Sequence, residues 1–185
     1  MLLLSKFLSG NNYVIMNQAF RFIIFLVVIF TFIFLVSLLL PSKVTVTKSV
    51  LINASIEKVQ NQLIHFDQWK NWYPAFKNEN VTIIKNSSNP NSVSLTNNRG
   101  KSVELTISQS NPYTINVHVH SSSSRKVAYE FILTPKGDNK IQLTWDINAQ
   151  LGWYPWNRIW GIFLDKVSGS QYELALEDLK KVAEN

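Results

Sequence analysis

"SVLINASIEKVQNQL", Ser49 to Leu63, changes periodicity partway along its length. Up to Asn53 it completes "KVTVTKSVLIN", where β-branched residues alternate with polar ones from Lys43 onward; that pattern predicts a strand. Beyond Ser55 the apolar residues Ile56, Val59, Leu63 and Ile64 recur at helical spacing. Ser55 stands where an N-cap belongs, and Glu57 falls in the first turn, where the helix dipole favours an anion. A strand therefore feeds almost directly into a helix.

The chain downstream continues the theme. "FDQWKNWYP", Phe66 to Pro74, predicts a second short helix closed by its proline. Strand-like runs follow at Val81–Ile84, Val93–Thr96, Val103–Ser108, Tyr113–His120, Val127–Thr134 and Ile141–Ala149, separated by turn-forming stretches such as "NSSNPN", "NNRG" and "KGDN". Val127, Tyr129, Phe131 and Leu133 share one side of their strand, as do Ile141, Leu143, Trp145 and Ile147. Polar residues take the other side, the mark of an antiparallel sheet covered on one face. A long helical segment from about Pro155 to Ala183 ends the chain. This order predicts an α+β fold, a curved seven-stranded antiparallel sheet around one C-terminal helix, with no helices left over for a parallel sheet.

Three stretches in this order resemble the START-like superfamily, also called SRPBCC or polyketide cyclase/dehydrase-like, with its helix-grip (Bet v 1-like) fold. "SVLINASIEKVQNQL" is similar to the family's opening strand-to-helix turn. "FDQWKNWYP" looks like its W-x-x-W-x-P element, and "RIWGIFLDKVSGSQYELALEDLKKVAE" like its closing helix. The resemblance covers about Lys43 to Glu184. It implies a cavity between the sheet and the terminal helix that takes a hydrophobic small molecule or lipid. It leaves the chemistry open, because this fold serves carriers and enzymes alike.

Ahead of this domain, Phe22 to Leu40 reads "FIIFLVVIFTFIFLVSLLL", with only Thr31 and Ser37 polar. At 1.5 Å per residue such a run spans roughly the 30 Å hydrocarbon core of a bilayer. It exceeds a signal-peptide h-region and lacks a small-x-small cleavage pattern. The expected organisation is a short N-terminal segment over 1–21, whose first fifteen residues are unstructured or an over-extended start with Met16 as the alternative, then a transmembrane anchor over 22–40 and the domain over 43–185. Lys6 and Arg21 before the run nearly balance Lys43 and Lys48 after it. The expectation is an N-in anchor with the domain outside the cytoplasm.

Sixteen of the eighteen basic residues and all twelve acidic ones follow Pro41, about +4 for that part. The bases are scattered, which argues against a nucleic-acid partner and suits a domain held near anionic lipid. The chain has no cysteine, so thiol chemistry and disulfides are excluded. No glycine-rich phosphate loop, nucleophile–base ordering or metal-ligand spacing occurs, so no catalytic residue, metal or cofactor is expected. His118 and His120 share a strand face with Asn116 and are expected in solvent, as are Glu104, Glu130 and Asp146.

The expected cavity lining comprises Trp69, Trp72, Tyr129, Phe131, Trp145, Arg158, Asp165 and Tyr172. On a helical wheel, Tyr172, Ala175, Leu176, Leu179 and Ala183 form one stripe, which projects backwards onto Gly169, Asp165 and Arg158. Trp156, Trp160 and Phe163 lie on the opposite side, as a lid if the helix bends near Gly169 or as a membrane-facing surface if it stays straight. The leading expectation is a non-catalytic, membrane-anchored binding domain. One alternative is a cyclase- or hydrolase-like enzyme using Arg158, Asp165 and Tyr172; another is an interaction module docking through the Trp-rich half-helix.

Overall fold

A computed structural model of the chain describes residues 2–121, 126–137, 139–152 and 154–185. The chain divides into two units, Met1–Pro41 and Ser42–Asn185. The first is helix α1 (Leu2–Leu39). The stretch before Arg21, expected as a separate or unstructured segment, is helical from Leu2 onward. No proline interrupts it, and the lone Gly10 costs a helix only about 1 kcal/mol. Within α1, Phe20–Leu39 is 20 residues long with mean hydropathy 3.2, long and apolar enough to cross a membrane by length and composition. The Ser37 hydroxyl donates back to the Phe34 carbonyl at 2.7 Å, so it needs no outside partner.

The second unit opens with β1 (Lys43–Ile52), which passes into α2 (Ile56–Ile64) through the cap read from the sequence. Ser55 Oγ accepts from the Lys58 amide at 3.4 Å. The backbone at its own position and the Ser55 side chain hold the Glu57 carboxyl below its usual range. Then come α3 (Phe66–Trp72) and α4 (Pro74–Lys77). Pro74, expected to close the second helix, instead opens α4: at the first helical position its missing N–H is no loss.

Six further strands follow, namely β2 (Val81–Lys85), β3 (Ser92–Asn97), β4 (Ser102–Asn111), β5 (Thr114–Ser121), β6 (Lys126–Pro135) and β7 (Ile141–Gln150). With β1 they form one antiparallel sheet in the order β1-β7-β6-β5-β4-β3-β2. The β3–β4 turn uses Gly100 at φ +73, a left-handed position that suits glycine. Asn97 Oδ1 in that turn accepts from the amides of Arg99 and Lys101.

The register stacks the inner face in rows across the sheet. One row runs Val46, Ile147, Tyr129, Val117, Ile107, and a second runs Lys48, Trp145, Phe131, Ile115. All but Lys48 are buried. The seven-stranded α+β helix-grip architecture expected from the order of elements is therefore the one observed.

The C-terminal segment departs from expectation. It is two helices, α5 (Pro155–Ile162) and α6 (Leu164–Glu184), parted at Phe163 (φ −93, ψ 0) rather than bent at Gly169. Gly169 sits inside α6, and a Cβ there would crowd Asp165 Oδ1 and the Lys48 ammonium. Its missing side chain makes room for a lysine and does not serve as a hinge. The wheel explains why one straight helix fails: its two apolar stripes face opposite ways. After the break, Gly169, Ala175, Leu176, Leu179 and Ala183 are buried against the sheet. Trp156, Phe163 and Val167 stay exposed.

Candidate functional site

The W-x-x-W spacing places Trp69 and Trp72 one turn apart on α3, so both rings turn the same way. Their indole nitrogens donate to the carbonyls of Leu63, at 2.9 Å, and Gln62, at 3.2 Å. Both carbonyls belong to the last turn of α2, where a helix leaves its acceptors orphaned. The two tryptophans thus cap α2 with their polar edges. Their rings meet Phe131 edge-on at 6.2 and 6.3 Å.

Beneath them lies an aromatic layer drawn from β6, β7, α6 and the joint of α3 and α4. Trp145 of β7 packs against Phe131 (4.9 Å), Tyr172 of α6 (5.0 Å), Tyr129 of β6 (5.4 Å) and Tyr73, at the joint of α3 and α4 (5.8 Å). Most of these pairs are edge-to-face, an arrangement worth about 0.5–1.5 kcal/mol beyond area burial. Here the space between sheet and α6, expected to be hollow, is filled by side chains.

Three phenols meet inside this layer. The Tyr73 and Tyr129 hydroxyls lie 3.1 Å apart, and the Tyr129 and Tyr172 rings meet edge-on at 6.5 Å. Burial pushes the Tyr73 phenol up to about 12, against a smaller opposing effect of its bond to Tyr129. Burial raises Tyr129 and Tyr172 as well. All three are neutral hydroxyls near pH 7 and supply hydrogen bonds rather than a base or nucleophile. The Trp145 indole nitrogen is buried with no hydrogen-bond partner among the described residues.

Beside the phenols the inner face opens into a groove of about 760 Å³. Its walls are Tyr73 and Ala75 on one side and the sheet on the other, with Leu95, Val103, Val119, Val127 and Tyr129, while Asn97, Lys101 and Ser102 stand among its polar lining residues. The open volume therefore lies over β3 to β6, away from α6. Of the residues expected to line a cavity, Tyr129 lines this groove. Trp69, Trp72, Phe131 and Trp145 are buried in the layer beside it.

The expected polar pair on the terminal helices divides. Asp165 is exposed on α6, and its carboxylate lies 3.0 Å from Lys48 Nζ. The same ammonium meets Glu173 at 2.8 Å, and the two carboxylates raise the lysine's pKa. Arg158 is half-buried on α5. Asp165 and Tyr172 thus serve different partners, Lys48 and Tyr129. Trp156 is 50% and Phe163 45% exposed; the side chain of Trp160, and Trp153 altogether, lie outside the described residues.

Sequence reading did not single out Lys48, or Val103 and Val119 as groove residues. Lys48 was recoverable, since it shares the even-numbered register of Val44, Val46, Val50 and Ile52. His118 and His120 are on the outer face, lining a separate depression with Lys43 and Lys126. Among the described residues no group of three or more His, Asp or Glu is placed to hold a metal ion.

Comparison with known proteins is consistent with this geometry. The family model described as polyketide cyclase / dehydrase and lipid transport matches residues 43–184. No match is found among curated protein sequences. Solved structures share the fold at low identity. A START superfamily protein from Mycobacterium smegmatis aligns with TM-score 0.58 and 18% identity, over 76% of this chain and 97% of that one. The di-domain ARO/CYC protein of the steffimycin biosynthetic pathway aligns at 0.58 and 14%, over 77% and 51%. Norcoclaurine synthase from Thalictrum flavum, in complex with dopamine and hydroxybenzaldehyde, aligns at 0.55 and 8%, over 76% and 86%.

Proposed function

The chain belongs to the polyketide cyclase / dehydrase and lipid transport family, and we propose that it is a membrane-anchored member that binds a hydrophobic small molecule or lipid without transforming it. The observation that carries this reading is the groove of about 760 Å³ on the inner face of the sheet, with apolar walls and polar residues among its lining. That volume falls within the range of small-molecule sites, which pair apolar walls with a few polar groups. The neighbour solved with dopamine and hydroxybenzaldehyde is in keeping with an aromatic occupant. The reading omits catalysis because the phenols that line the groove are neutral near pH 7, Lys101 has no acidic residue beside it in the groove lining, and the charged Asp165 is paired with Lys48.

In the same proposal Phe20–Leu39 is the anchor, its amino end in the cytoplasm and the folded domain outside. Only three residues separate the end of α1 from β1, so the domain works close to the lipid that could supply its ligand.

Native mass spectrometry of the full chain, extracted in mild detergent, tests the binding. The expected spectrum carries one apolar adduct per chain, lost in Val119→Trp, where a bulky ring fills the groove. An adduct-free wild type that also takes up no added lipid would overturn the proposal.

A further inference from the structure

The outer face of the sheet ends in a basic hollow. Lys43 of β1 and Lys126 of β6 both stand opposite Gln150 of β7. One row further in, Thr45, Asn148, Ala128 and His118 lie side by side across β1, β7, β6 and β5. These residues, with His120, line a depression of about 600 Å³ whose lining contains no acidic residue. Ala128, the shortest of the row, keeps its floor low. The Thr45 hydroxyl donates to Asn148 Oδ1 at 2.7 Å, which leaves the Asn148 amide nitrogen to donate elsewhere. Ion pairs among the described residues engage Lys48, Lys77, Lys85, Lys180 and Lys181, and Lys43 and Lys126 take part in none. The acids of this face stand outside the hollow. Glu104, opposite His120, accepts from Ser92 at 2.6 Å, while Asp146 and Glu130 lie one row beyond Asn148 and Ala128. The face thus runs from basic at its end to acidic further in, which steers an anion to the end.

We propose that this outer depression, framed by Lys43, Lys126, His118 and His120, binds the phosphate of an anionic phospholipid headgroup and so docks the domain on the membrane that holds its anchor. The proposal rests on Phe20–Leu39 crossing a bilayer, and it is independent of what the groove on the inner face binds.

The chain itself brings the hollow to a lipid surface. Lys43 follows Leu39, the last residue of the apolar span, by four positions, a reach of at most about 14 Å. At about 0.1 M salt the field of charged headgroups extends about 10 Å into water, and each nearby lysine gains on the order of 1 kcal/mol from it. The same juncture gathers aromatic residues. The Leu151 amide donates to the Ser42 carbonyl at 2.8 Å, and the exposed Tyr154 and Trp156 follow shortly after, side chains of the kind that settle at headgroup level. Tethering also keeps lipid at a local concentration that no soluble anion matches. A phosphate diester carries one negative charge and accepts from several donors at once, which the two ammonium groups, the imidazole N–H groups and the Asn148 amide supply. A choline headgroup would bring a further cation beside the lysines, so an anionic headgroup is favoured over a zwitterionic one.

The test follows the three histidines of the full chain by nuclear magnetic resonance. The protein is reconstituted in nanodiscs of POPC alone or of POPC with roughly one-third of the anionic lipid POPG. His65 lines a different depression, with Asp67 and Lys85, and serves as the internal reference. On adding POPG near pH 7, the ring signals of His118 and His120 should move at least about three times as far as that of His65, because only charges within a Debye length act on them strongly. In Lys43→Gln/Lys126→Gln, where both positions are exposed, that excess should be lost. Equal movement of all three signals in wild type, or an excess that survives in the variant, overturns the proposal and leaves the anchor reading intact. So does the same movement in POPC discs given inorganic phosphate, which would make the hollow a site for a free anion. A chain that enters neither kind of disc overturns the anchor reading and the proposal together.

Discussion

The indole nitrogen of Trp69 lies 2.9 Å from the carbonyl oxygen of Leu63, so a side chain of α3 closes the end of α2. Trp145, equally buried, spends its N–H on no partner among the described residues. Exchanging each for phenylalanine removes similar ring area but only one hydrogen bond. Trp69→Phe should therefore destabilise the domain more than Trp145→Phe, by about 1 kcal/mol, as read from urea unfolding of the two variants side by side. Equal losses would mean that the indole cap contributes nothing.

The buried phenols make alkaline stability a reporter of the cluster. A folded-state pKa above the unfolded value near 10 means that the native state holds its proton longer. The contribution is complete below pH 10 and is lost as pH rises towards the raised values, about 12 for Tyr73. Absorbance at 295 nm should show Tyr73, Tyr129 and Tyr172 ionising only together with loss of the near-ultraviolet circular dichroism signal. Smooth titration of every tyrosine before unfolding would contradict the enclosed cluster.

Gly169 offers a cleaner separation of effects. Alanine in a helix interior is better than glycine by up to about 1 kcal/mol, but here its Cβ would press on Lys48 and Asp165. Gly169→Ala should be close to neutral in wild type and stabilising in a Lys48→Ala background. Thermal melts of the four proteins of that cycle measure the coupling; additivity would show that the lysine is not what the glycine accommodates.

The proposed anchor can be examined through its least tolerant positions. Val28→Lys with Phe32→Lys places two charges near the middle of Phe20–Leu39, each costing about 2.5–3.5 kcal/mol for insertion. The variant should leave the membrane fraction on carbonate extraction, and wild type should stay. Because the chain has no cysteine, Ser87→Cys gives a single thiol on the domain. An impermeant maleimide should label it in intact cells if the domain lies outside the cytoplasm, and only after lysis if it lies inside.

The sheet was legible in the sequence because alternation in β6 and β7 is strict and each turn between strands carries its own chemistry. The capped start of α2 was legible for the same reason, since Ser55 acts on its immediate neighbours. What escaped depends on positions far apart along the chain. The break at Phe163 settles a conflict between two stripes, and the wheel exposes the conflict without saying where the helix gives way. The partners of Lys48, Asp165 and Glu173, stand more than a hundred positions away on α6. The tyrosine cluster joins positions 73, 129 and 172 through a hydroxyl bond and ring contacts that no local pattern encodes.

The strand order has a consequence for how the molecule is made. β1 is hydrogen-bonded to β7 alone, with contacts such as Thr45 Oγ1 to Asn148 Oδ1 reaching across 103 positions. The first strand to be synthesised therefore waits for the last, and closing so long a loop is the slow kind of folding event. Until Ile141–Gln150 has been translated, Val44, Val46, Val50 and Ile52 lack the pairing partner they have in the finished sheet. A chain stalled or truncated before β7 would carry an unpaired strand directly behind its apolar helix, a species for chaperones and proteases to clear.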